Sequence, residues 1–412
     1  MSSPHSSPAS APLDLSKFRN VPNLLIGGGG VLALLGAFVN YRQFSFSWLL
    51  AFMFFLSLGV GGLFLTLVHH LFDASWSVPI RRINEHLMCL LPVMAVMFIP
   101  IAINAAFASP ASHSALYHWM TIGDPAGDHA LHAKHPMFTK AGFFIIAAFN
   151  FFVWWLLSSR LRGLSLEQDK TGSVACTEKM RLWSYVGIFL FALTVTLGVI
   201  MWVKALAHEW FSTMFGVYYF AESVWITLAT VYVLTAILQR TGHLKDVIKP
   251  KQYYFIGSLL FAFTVFYSYI HFSQYFIIWN ANLPEETFWY VMREQGTWKW
   301  AGITLIFGHF FIPFLTLLRI DVKLNLTIMV PVFCWTVLMH FLDQSFNIVP
   351  FAHPEGFHID WMDLACFAFI GGVLAKVFIA SFLAHPPYPQ RDPRLAEGLD
   401  IYLPPVSTVK TK

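Results

Sequence analysis

Tyr267–Tyr290 reads YSYIHFSQYFIIWNANLPEETFWY and closes an apolar segment that begins near residue 252. A water-soluble helix needs only one apolar face, whereas residues 252–280 are apolar all round. About 20 such residues cross a hydrocarbon core of about 30 Å, so the stretch is expected to be a membrane helix. Within it His271, Ser273 and Gln274 are costly to bury and mark a polar face. The acidic, Pro-containing NLPEET loop that follows is expected to meet something outside the membrane.

The composition extends that reading to the whole chain. Hydrophobic residues make up 57% and charged residues 12%, against about 25% charged in soluble domains. Mean hydropathy is +0.60. The expected class is an all-α polytopic membrane protein, since a membrane barrel would show short alternating segments. The net charge of +4 belongs to basic loops rather than to a nucleic-acid footprint. Cys89, Cys176, Cys334 and Cys366 form no CxxC or CxxCH pattern. They point away from disulfides, zinc, iron–sulfur and c-type haem, and toward packing as small hydrophobes.

Residues 1–21 are Ser/Pro-rich, lack a signal-peptide pattern, and are expected to form a mobile N-terminus. Ten apolar segments follow, at about 22–39, 46–72, 84–109, 137–159, 181–204, 213–238, 252–280, 298–319, 324–347 and 361–384. The tail from His385, HPPYPQRDPR, is expected to lie extended on a partner or in water. Ten crossings leave both termini on one side. That side carries 19 of the 26 Lys and Arg and the opposite loops carry 5, which predicts cytoplasmic termini. Lys140 and Lys376 lie inside spans and are expected to snorkel outward.

Ser47–Leu58 (SWLLAFMFFLSL) lies over Ser212–Ser223 (STMFGVYYFAES) at an offset of 165, with Ser57 opposite Glu222. The alignment predicts two four-helix bundles. The first is spans 2–5 within 46–204 and the second is spans 6–9 within 205–347. Residues 22–45 hold the first span, 348–384 the tenth, and 385–412 the tail.

Chemistry is expected from the polar residues inside the spans. Glu222 lies ~14 Å from the outer end of its span at 1.5 Å per residue, near mid-membrane, with His309 at similar depth. His271, Gln274, His340, Asp343 and Gln344 lie in the outer half of their spans. A file of Glu and His is what a proton path requires, because His titrates near neutrality and a buried Glu can be brought there. The candidate path is Glu222, His309, His271, His340 and Asp343. The plainer alternative is that each His only bonds a neighbouring carbonyl. Bis-His haem ligation by two of His271, His309 and His340 is a third option, with no pair fixed.

His69, His70, Asp73, Glu85 and His86 gather near Arg81 and Arg82 at the cytoplasmic mouth of the first bundle. They read either as a proton inlet or as an interfacial salt-bridge cluster. Deeper in that bundle only Asn104 and Asn150 are polar. The loop carrying His113, His118, His129, His132 and His135 has no defined ligand geometry and reads as a subunit contact rather than a metal site. Gly27–Gly30 lie in the first span and read as close helix packing.

WSVPIRRINEHLMCLLP (Trp76–Pro92), EWFSTMFGVYYFAES (Glu209–Ser223) and YIHFSQYFIIWNANLPEET (Tyr269–Thr287) resemble membrane subunits of the polysulfide-reductase or NrfD type. The nearest resemblance is to the shorter of the two such subunits of bacterial alternative complex III, the ActF type. It covers spans 2 to 10. The resemblance implies ten helices in two bundles and a place in the bacterial inner membrane, with quinol oxidation as the activity of the whole complex. It implies a subunit with no bound cofactor, beside a paralogous NrfD-type subunit, a periplasmic iron–sulfur/molybdopterin-like subunit, c-type cytochrome subunits and lipid. Haem and iron–sulfur would belong to those partners. The resulting expectation is a scaffold with a proton half-channel. Direct quinol binding near the periplasmic face through His271, Gln274 and His340 is the alternative, and an independent ion-coupled transporter is a second.

Overall fold

The computed structural model describes residues 18–111, 116–122 and 127–400. The N-terminal and C-terminal extremes and His113 lie outside the described residues. Every regular element described is helical. Ten helices are long and apolar enough to cross a membrane. They are α1 Val21–Val39, α2 Tyr41–Leu71, α3 Ser75–Phe107, α4 Lys140–Thr171, α5 Val174–Trp202, α6 Phe215–Arg240, α7 Pro250–Ala281, α8 Trp298–Leu317, α9 Leu326–Phe351 and α10 Trp361–Leu383.

Local chemistry sets the ends. The Asn40 side chain accepts from the Gln43 N–H at 3.1 Å to start α2, and Thr139 does the same for α4 through the Gly142 N–H at 3.0 Å. Asn282 closes α7 in the left-handed conformation. Two elements depart from their expected bounds. Helix α4 runs on to Thr171 and α5 already begins at Val174, where the sequence suggests a loop over 160–180. SSRLRGLSLEQDKT ends the apolar run, but its good helix formers carry the helix beyond the membrane until Gly172 turns it at φ +67°. Helix α3 is built of three pieces joined at Leu90 and Phe98, each break placing a proline (Pro92, Pro100) in the first turn of the next piece.

Helices α2 and α6 are the most buried and lie against each other at the centre. They come close because Gly61 has no side chain. A Cβ there would stand 2.2 Å from Thr227 Oγ1 and 2.5 Å from the Ser223 carbonyl. Helices α3, α5, α9 and α10 also pack on α2, while α7 and α9 pack on α6. Helix α1 lies on the outside against α10, the two running antiparallel. Gly29 meets the Phe369 backbone and Gly36 meets Met362, while Gly372 meets Leu25 and Ile26. Of the four-glycine run, Gly29 and Gly30 make the expected close contact, and Gly27 and Gly28 touch nothing within 4 Å.

Residues 385–400 do not leave the molecule, contrary to the extended tail expected. The Gln390 N–H donates to Asp169, Arg391 to the Lys170 carbonyl, and Lys249 and Lys251 reach Leu399 and Asp400. The prolines stop the helix, and the charges then fold the strand of chain back over the face that holds both ends of the described chain, hereafter the terminal face.

Candidate functional site

Helices α2, α6 and α9 meet at Glu222, which is fully buried. His340 of α9 places Nδ1 2.7 Å from Glu222 Oε1, and Gln344, one turn on, donates to Oε2 at 3.4 Å. Across the junction His340 Nε2 lies 2.9 Å from Ser57 Oγ of α2, and that hydroxyl donates to the Phe54 carbonyl at 2.5 Å. The residue the internal repeat sets opposite Glu222 is thus joined to it through one imidazole.

These bonds fix a proton count. The single Ser57 proton goes to Phe54, so His340 Nε2 must carry a hydrogen to bond the Ser57 oxygen. The 2.7 Å contact at Nδ1 then needs one more proton, carried either by the imidazole or by the carboxyl. Besides the Nε2 hydrogen, Glu222 and His340 therefore share one proton at the Nδ1–Oε1 contact, placed to move either way.

Asp343 extends the group. Tyr218 and Tyr267 both donate to its Oδ1, Tyr267 at 2.6 Å. Asn347 bonds the Tyr218 oxygen at 3.2 Å and Asp343 Oδ2 at 3.4 Å. The Asp343 and Glu222 carboxyls lie close enough to interact. His309 lies in a π-helical turn of α8, Leu305–Phe311, with its Nε2 3.7 Å from Glu222 Oε1. Its ring is sandwiched between Trp225 at 3.9 Å and Tyr267 at 3.7 Å, and among the described residues neither nitrogen has a hydrogen-bond partner. Trp225 is held for this by its bond to Thr264 at 2.9 Å. A π-turn adds a residue to the helical turn and is frequent at functional sites.

Four of the five predicted path residues, Glu222, His309, His340 and Asp343, converge. His271 stands at the edge, its ring 5.6 Å from Tyr218 and 5.8 Å from Tyr267. Gln274 turns away, accepting from Ser212 at 2.7 Å and donating to Tyr290 at 3.1 Å. The three residues of the quinol alternative thus face separate partners. Sequence reasoning missed Tyr218, Tyr267 and Asn347, although Tyr218–Glu222, Tyr267–His271 and Asp343–Asn347 are all four residues apart, on one helix face. It named Ser57 only as a repeat position.

The terminal-face candidates form a different structure. Glu85 receives Arg81 at 2.9 Å, Arg82 at 2.8 Å, Arg162 at 2.8 Å and the Ser165 hydroxyl at 2.7 Å. Arg81 also pairs with Asp392 of the folded-back tail, and Arg82 with Asp169. Arg394 joins Asp392 to Asp73. His69 bonds Ser77 at 2.6 Å and His86 bonds Ser381 at 2.9 Å. His70 is buried and, among the described residues, has no hydrogen-bond partner on either nitrogen. Burial alone would raise the Asp392 carboxyl, but Arg394 and Arg81 hold it down to about 2. The place that the sequence leaves open between a proton inlet and a salt-bridge cluster thus holds a buried network of ion pairs.

On the opposite face Asp128, His208 and Glu209 bring possible metal-ligand atoms within 4.8 Å of one another, with His208 Nε2 2.8 Å from Asp128 Oδ2. Two ammonium groups stand by. Lys134 bonds the His208 carbonyl, and buried Lys204 is pushed down to about 7 by burial and by Lys134 beside it. That crowding of positive charge disfavours a cation. His118, His129, His132 and His135 are not in the group. No family model matches the chain and no curated protein does.

Proposed function

We propose that the chain is an integral subunit of a membrane quinol:acceptor oxidoreductase of the alternative complex III type. In this reading it binds no cofactor of its own, supports assembly, and relays protons through Glu222. The observation that carries the reading is the junction of α2, α6 and α9, where Glu222 and His340 share one proton between Ser57 on one side and Asp343 on the other. The strings at Trp76–Pro92, Glu209–Ser223 and Tyr269–Thr287 support the family, and the link between Ser57 and Glu222 supports two repeated bundles joined at this point. On this reading the membrane is the bacterial inner one, and the terminal face is cytoplasmic.

Glu222 lies between His309 and His340, and aromatic rings cover both faces of His309. That packing serves an acid–base chain. The relay step is a proton passing from Glu222 to His340 Nδ1 and back, carboxyl and neutral imidazole becoming carboxylate and imidazolium while Nε2 keeps its hydrogen toward Ser57.

In the test, Glu222→Gln keeps the hydrogen-bonding shape and removes the exchangeable proton. Its complex should assemble and oxidise quinol with fewer protons moved per electron. An unchanged proton stoichiometry in the assembled variant would reject the relay.

A further inference from the structure

Arg293 lies in the loop between α7 and α8, is 2% exposed, and among the described residues has no carboxylate partner. Its Nε donates to the Phe346 carbonyl at 2.7 Å, one Nη to Trp289 at 2.7 Å and the other to Asn347 at 3.2 Å. The guanidinium carbon stands over the Trp289 ring, 3.4 Å from its centroid. The plain role is to cap the closing turns of α9, whose carbonyls lack intrahelical donors and carry the negative end of the helix dipole. A neutral donor would satisfy those carbonyls without the cost of a buried charge. The position of the charge is what calls for an explanation.

The same turn carries Asn347, whose side chain bonds the Tyr218 hydroxyl at 3.2 Å and the Asp343 carbonyl at 2.8 Å. Among the described residues the Tyr218 hydroxyl bonds Tyr267, Asp343 and Asn347 only. On the side of the opposite face, Arg293 holds the backbone carbonyl of this same Asn347 and that of Phe346 beside it. A fixed positive charge across a narrow polar path excludes hydronium and other cations.

We propose that Arg293 is the positive barrier that closes the Glu222–Asp343 network to the face opposite the termini. The acids then exchange protons from the terminal side of the membrane alone. The inference rests on the proton-relay reading and adds a direction to it.

The test is passive proton flux into vesicles carrying the full chain, read with an entrapped pH dye. Arg293→Gln, or Arg293→Met where Gln compromises folding, should raise the flux of order tenfold, the effect of one fixed charge acting through a partly hydrated interior. Arg293→Lys should stay tight, and adding Glu222→Gln to the neutral variant should return the flux to the wild-type level. A folded neutral variant with wild-type flux overturns the barrier. It leaves the relay standing provided Glu222→Gln lowers proton stoichiometry in the complex. A raised flux that persists when Glu222 is also replaced overturns the barrier as well, because the protons would then bypass the network.

Discussion

The buried polar groups at mid-membrane and those at the terminal face are drawn from the same residue types, yet they are wired in opposite ways. Glu85 is met by three guanidinium groups and a hydroxyl, and Asp392 by two guanidinium groups. Glu222 is met by two imidazoles, an amide and another carboxyl, with no Lys or Arg. Guanidinium stays charged throughout the accessible pH range, so a carboxylate held by three of them has nothing to gain from a proton. An imidazole can give one up and take one back. The first arrangement is a fastener and the second can relay. Counting acids and histidines along a sequence cannot separate the two, because the difference lies in which cation the fold sets beside each acid.

The comparison breaks most directly at Glu85. Glu85→Gln leaves three buried guanidinium groups short of a counter-charge, and removing one partner of a buried ionic network costs about 3–5 kcal/mol. The expected result is a large drop in the melting temperature of the detergent-solubilised protein. A variant as stable as wild type would mean that the cluster is hydrated and open, as a proton inlet would be. Asp392 should show the same logic more weakly. Its carboxyl falls from its ordinary 3.8 to about 2 in the fold, and a shift of nearly two units is worth ~2 kcal/mol. The sign follows from the depressed value. This stabilisation is fully present above about pH 4 and is lost as pH falls through about 2. Asp392→Asn should remove it at all pH values. Hydrogen exchange over residues 385–400 checks both, with protection lost in acid for the wild type and already at neutral pH for the variant.

Ten apolar runs are enough to read ten helices, because in lipid the backbone must bond within each segment. Glu222 and His309 were legible for the same reason, since a polar group in an apolar run stands out. Tyr218 and Tyr267 did not stand out. Tyrosine is ordinary in an aromatic-rich membrane helix, and only the fold aims both hydroxyls at Asp343. The terminal face misled in the other direction. Asp392 lies over 300 residues from Arg81, in a tail whose prolines read as leaving the molecule, so nothing local to WSVPIRRINEHL discloses that the cluster is capped. Arg293 counts in sequence as one loop charge, and its burial depends on the carbonyls of a different helix.

The finest test of the contrast sets Glu222→Gln beside Ser57→Ala. If the mid-membrane group were a fastener, losing the Glu222 charge would cost as much as losing that of Glu85. A relay predicts about 1 kcal/mol or less, since Gln still offers an acceptor to His340 and the hydrogen bond exchanged is a single one. Ser57→Ala should cost no more. The His340 Nε2 hydrogen is left with the Phe54 carbonyl at 3.4 Å as its remaining partner, so the imidazole keeps a weak anchor while losing the hydroxyl that aims its Nδ1 at Glu222. Proton stoichiometry should therefore fall in Ser57→Ala with the melting temperature nearly unchanged, and by less than in Glu222→Gln, where the proton itself is gone. Equal and full stoichiometry in both variants would place the relay elsewhere, and a melting temperature that drops as far as in Glu85→Gln would make this junction a second fastener.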